Sequence, residues 1–205
     1  NSYRVKGELD KALADLNRAI EIKPDMVIAY SNRGSALTSK GEYDRAIADY
    51  NKALELDPKY ISAYISRGNV YHNNKQNYDL AIADYSKALE LDPKYATAFN
   101  NRANSYRQKG NYDQALADLN KAIALNPNYA LAYNNRGTTY SARREYDKAI
   151  AMYELFIAKY GDEKTLAKLE ADKSAKYAER VKYLQGAYDT LSKSYVLFFN
   201  YKKAA

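Results

Sequence analysis

The chain contains four prolines, and Pro24, Pro58, Pro93 and Pro127 fall 34, 35 and 34 residues apart. A helix-breaking residue at so even a spacing punctuates a repeat. The surrounding segments carry the same period: KGELDKALADLNRAIEIKPDM (6–26), KGEYDRAIADYNKALELDPKY (40–60), QNYDLAIADYSKALELDPKY (76–95) and KGNYDQALADLNKAIALNPNY (109–129). A weaker copy, REYDKAIAMYELFIAKY, occupies 144–160. Units of this length cannot bury an apolar face alone, so the copies must stack on one another.

Numbering each unit so that its proline stands at position 32 gives units at 27–60, 61–95, 96–129 and 130–160, the second of these with one residue inserted near 73–77. A partial unit, 1–26, enters at position 9, which predicts further sequence upstream. Positions 8, 20 and 27 are small: Gly34, Ala46 and Ala53, then Gly68, Ala81 and Ala88, then Ala103, Ala115 and Ala122. Two helices approach closely only where side chains are this small. Positions 4, 11, 17 and 24 carry the large partners, as in Tyr30, Leu37, Tyr43 and Tyr50. Most of the 23 tyrosines lie on this grid, against only 4 phenylalanines. The spacing marks them as core rings with one wet edge rather than a stacking platform for bases. Asp44, Asp79, Asp113 and Asp147 at position 18 are expected to cap the second helix of each unit. The prolines are expected to open the first helix of the next.

A 34-residue unit of two helices with small central residues and a closing proline resembles the tetratricopeptide repeat family, over residues 1 to about 160. The resemblance implies an all-α fold, a right-handed superhelical stack of antiparallel helix hairpins (an α-solenoid). It also implies that positions 2, 5, 6, 9, 12 and 13 of each first helix face an inner groove that binds peptides. Here position 6 reads Asn32, Ser66, Asn101 and Asn135, position 9 reads Ser35, Asn69, Asn104 and Thr138, and position 5 reads Ser31, Ile65, Asn100 and Asn134. Side-chain amides donate and accept, so a row of them can pair with the main chain of an extended peptide whatever its sequence. The row resembles the asparagine ladder in the repeats of O-linked N-acetylglucosamine transferase, with Ser66 as an interruption. The expected contacts are Asn32, Ser35, Ser66, Asn69, Asn100, Asn101, Asn104, Asn134 and Asn135.

The family's carboxylate clamp, which holds acidic tails on inner-wall lysines and arginines, has no counterpart here. Positions 2, 5, 6 and 9 are never basic in the complete units. Position 7 is always arginine (Arg33, Arg67, Arg102, Arg136), but position 23 supplies Asp15, Asp49, Asp84 and Asp118. The expectation is a structural pair in which each aspartate meets the arginine of the following unit. Unit 130–160 has Met152 in that place.

Beyond 160 the pattern degrades. Residues 161–205 are expected to form a degenerate hairpin that caps the stack, or one continuous helix over about 162–200. Val196, Phe198, Phe199 and Tyr201 offer a rival role in self-association. Three functions follow: a scaffold or adaptor binding an extended peptide or partner helix, a self-assembling structural protein, or a regulatory or targeting arm of a larger protein.

Catalysis, metal binding and cofactors are not expected. The chain has no cysteine, and its single histidine, His72, has no second strong ligand in register and reads as a groove residue. No glycine-rich phosphate loop occurs. A net charge of +7 arises from 32 basic and 25 acidic residues that are interspersed, as on a solvated helical surface, and not from a nucleic-acid-binding run. No stretch reaches the ~20 apolar residues of a membrane span, and localisation is not encoded legibly.

Overall fold

The structure of the protein, a computed structural model, describes residues 2–160 and Thr190. Among these residues nine helices occur and no strand: α1 (Ser2–Ile22), α2 (Val27–Lys40), α3 (Tyr43–Leu56), α4 (Ile61–Asn73), α5 (Tyr78–Leu91), α6 (Ala96–Gln108), α7 (Tyr112–Leu125), α8 (Ala130–Ala142) and α9 (Tyr146–Tyr160). The hairpin or single helix expected over 161–205, with its self-association surface, lies outside the described residues apart from Thr190. The chain forms two compact units, 1–105 and 106–205, divided within α6.

In the first unit α2 pairs with α3 and α4 with α5, while α1 packs on α2 and α3 on α4. In the second unit α8 pairs with α9 and α7 packs on α8. The pairings follow from side-chain size. A Cβ built on Gly34 would lie 2.8 Å from Cε1 of Tyr50, on Gly68 2.8 Å from that of Tyr85, and on Gly137 2.7 Å from that of Tyr153. These rings are buried and cannot yield, so the position 8 glycines are required by the position 24 tyrosines. The unit with Leu119 at position 24 has Ala103 at position 8. Ala46, Ala53, Ala81, Ala88, Ala115 and Ala122 are fully buried, as their positions predict.

The turn inside each hairpin needs a left-handed residue at position 15. Gly41 (φ +84°) and Gly110 (φ +77°) supply it without strain, whereas Gln76 (φ +51°) and Arg144 (φ +65°) occupy it as side-chain-bearing residues.

Two local expectations are corrected. The prolines do not open the following helices. Tyr60, Tyr95 and Tyr129 donate their N–H to the carbonyls of Asp57, Asp92 and Asn126 (3.1, 3.2 and 3.0 Å), so each proline is the second residue of a β-turn, where its fixed φ belongs. The Asp and Asn side chains accept from Lys59, Lys94 and Asn128 N–H and brace the same turns. The position 18 aspartates sit one residue inside the first turn and not at the N-cap, which is Glu42, Asn77 or Asn111; Asn77 caps by its side chain, accepting from Leu80 N–H at 3.2 Å. Asp44 instead meets Lys75, and Asp113 meets Arg143, tying a turn to the end of the next first helix. Finally, α1 runs unbroken through Gly7, whose counterparts Gly41 and Gly110 make turns.

Candidate functional site

Two of the position 7 arginines, Arg33 and Arg67, hold the first helix of their hairpin to the second. Arg33 donates Nε–H and Nη2–H to Asp49 at 2.8 and 2.7 Å, and Arg67 makes the same fork to Asp84 at 2.9 and 2.6 Å. The pairs are bidentate as expected, but each lies within one unit. What reaches the preceding unit is the other nitrogen: Arg33 Nη1–H donates to Asn17 at 2.9 Å and Arg67 Nη1–H to Asn51. Arg102 meets Ser86, and Arg136 meets Asn120, in the same way (2.9 Å each). Each guanidinium also stacks over the ring at position 4, that of Tyr30, Tyr64, Phe99 or Tyr133, at 5.5–5.7 Å. Arg136 has Met152 where the aspartate would be, and its buried Nε has no hydrogen-bond partner. Burial pushes the Asp84 carboxyl above its ordinary value, and Arg67 pulls it back only in part. Burial opposes the charge of Arg67, but Asp84 more than restores it. With both charges mutually engaged, Arg33 and Arg67 are clamps of their hairpins.

In the first unit α2 packs on α4 and α4 meets α6 through side-chain hydrogen bonds, so the first helices follow one another as the expected groove wall requires. On α2, Asn32 and Ser35 are exposed, while Ser31 is buried. The hydroxyls here serve their own helix: Ser35 donates to Ser31 O (3.1 Å), Thr38 to Gly34 O (2.9 Å) and Ser39 to Ser35 O (3.1 Å). On α4 and α6 the wall becomes a network of amides. Tyr85 Oη–H donates to Asn69 Oδ1 at 2.8 Å, Asn101 Nδ2–H donates to the same oxygen at 3.1 Å, and Asn100 Nδ2–H donates to Asn101 Oδ1 at 3.3 Å. A cleft of about 240 Å³ opens over it, lined by Asn69, His72, Asn73, Tyr85, Asn101 and Asn104. His72 Nδ1 lies 2.8 Å from Oγ of the fully buried Ser105 and its ring meets Tyr78 edge-on at 5.3 Å, so it is a half-buried member of the cleft, not a loose groove residue.

The structure thus brings Asn69, Asn101 and Asn104 together, with the half-buried Ser66 one turn before Asn69. Asn100 departs from expectation: it is fully buried beneath Asn101, because position 5 points into the helix stack, as Ser31 and Ile65 also show. It supports the wall from behind and cannot touch a ligand. In the second unit, Asn134 is half-buried and Asn135 is 8% exposed, with their backbone carbonyls taken by Thr138 and Thr139. Tyr85 is the residue that the sequence assigned only to packing. Its hydroxyl is the part a phenylalanine would lack, and the excess of tyrosine over phenylalanine was the available signal.

A family model described as "TPR repeat" matches residues 1–39, 34–75, 73–106 and 103–143, and a second, "Tetratricopeptide repeat", matches 132–167. No curated protein matches the chain. Among solved structures, MamA is 24% identical over 78% of this chain and 87% of its own, with a TM-score of 0.69. YrrB, described as a TPR protein with an unusual peptide-binding site, is 25% identical over 92% of this chain and 97% of its own, with a TM-score of 0.65. The first TPR of Spaghetti (RPAP3), bound to the HSP90 peptide SRMEEVD, is 23% identical over 58% of this chain and 93% of its own, with a TM-score of 0.55.

Proposed function

The chain belongs to the tetratricopeptide repeat family, and from that premise we propose that it is a non-catalytic interaction module that holds an extended peptide along the wall of its first helices. The observation that carries this reading is the convergence of Asn69, Asn101 and Asn104 on one cleft. Amides spaced along adjacent helices match the alternating N–H and C=O groups of an extended chain. Peptides are also what the two peptide-associated neighbours bind by their descriptions. The acidic peptide of the RPAP3 complex does not transfer, because positions 2, 5, 6 and 9 of this wall hold no cation in the complete units. The contacts we assign to the peptide are Asn32, Ser35, Ser66, Asn69, Asn101 and Asn104.

The test is fluorescence anisotropy with a library of labelled ten-residue peptides. The double variant Asn69→Ala, Asn104→Ala should bind the library's best members at least tenfold more weakly, with an unchanged far-ultraviolet circular dichroism spectrum. Equal affinity in the variant would move the site off this wall.

A further inference from the structure

We propose that the cleft between α4 and α6 is a side-chain subsite within that groove, selective for a neutral carboxamide, the side chain of a glutamine or asparagine in the bound peptide. The inference rests on the groove reading and adds the chemistry of the ligand. Asn69 Oδ1 accepts two hydrogen bonds, from Tyr85 and Asn101, and so has both lone pairs engaged. What Asn69 still offers is its Nδ2 group, which is all donor. Asn101 spends one of its two amide hydrogens on Asn69 and keeps the other. The inner end of the cleft therefore asks for an acceptor oxygen, while the exposed Asn73 at the rim can accept as well as donate.

None of the six lining residues is a lysine, arginine, aspartate or glutamate. A carboxylate would satisfy the donors but would be partly desolvated with no lysine or arginine among the lining side chains. An ammonium would face N–H groups of its own polarity, and an alkyl chain would leave those donors unpaired. A carboxamide brings the acceptor oxygen for Asn69 and Asn101 and turns its own N–H groups towards the rim. The cleft, at about 240 Å³, is several times the space a single water requires, so a side chain fits where bound waters would otherwise stand.

The experiment uses the full chain and a set of capped alanine- and serine-based octapeptides that differ at one central residue, glutamine, glutamate, lysine or leucine. The glutamine peptide should bind about tenfold more tightly than the other three. Asn69→Ala should erase that preference, so that within the variant the glutamine peptide binds no more tightly than the other three. Asn69→Asp exchanges the donor for an acceptor at the same volume and should favour the lysine peptide, which keeps the test informative if the alanine variant folds poorly. Equal binding of all four peptides, or preference for glutamate or leucine, overturns the subsite and leaves the groove standing. Failure of every peptide to bind overturns both.

Discussion

The arginine at position 7 shows how charge is used here. Arg67 is forked onto Asp84, whose side chain is only 7% exposed, so removing the aspartate strands a partly buried cation. Asp84→Ala removes both acceptors from Arg67 and should cost about 3 kcal/mol of unfolding free energy, the lower end for breaking a buried pair because Arg67 retains some solvent; a urea titration reads it. Asp84 protonates more readily in the folded chain than in the unfolded one. Its protonation thus favours folding, a contribution complete below the ordinary carboxylate pKa and lost as pH rises through the raised folded value. Lacking that contribution, Asp84→Ala should lose stability more steeply than the parent as pH falls towards 4, seen as a widening gap between their urea midpoints. Met152→Asp supplies the carboxylate missing beside Arg136 and should raise stability by about 1 kcal/mol. The arginine and aspartate columns were legible in the sequence because both recur at a fixed position. Which repeat supplies the partner was not, because the period is silent on whether position 23 faces its own first helix or the next.

At the level of the helices, size complementarity decides the packing. Gly34→Ala places a methyl 2.8 Å from the Tyr50 ring and should destabilise the chain by about 1–3 kcal/mol. Tyr50→Leu vacates that volume, and the pair should show a compensating interaction of about 1 kcal/mol or more in a double-mutant cycle, since the unit with Leu119 already tolerates Ala103. Arg144→Gly should gain about 0.5–1 kcal/mol by relieving a left-handed residue that Gly41 and Gly110 show is better served by glycine; thermal unfolding measures it. Helices and their small faces could be read directly from the repeat, because packing enforces those positions in nearly every copy, Phe156 at position 27 being an exception. Connections were read less well. Proline is welcome both at the first helical position and in a turn, and the clue that separates them is the Asp57, Asp92 or Asn126 just before it, a side chain suited to brace a turn.

For the molecule as a whole, the repeat predicted the family and the wall, while the cleft needed coordinates. Asn69, Tyr85 and Asn101 stand on three different helices, and nothing in a linear period says that their polar atoms meet or that Asn100 turns inward. The account's central claim is that peptide binds along the amides of α4 and α6. The most direct measurement is a nuclear magnetic resonance titration of the uniformly labelled chain with the tightest library peptide, following side-chain amide signals. The account predicts that Asn69, Asn73, Asn101 and Asn104 shift first and together, while Asn51 and Asn120, which meet Arg67 and Arg136, stay still. Shifts confined to the second helices of the hairpins, with the four cleft amides unmoved at saturation, would contradict it.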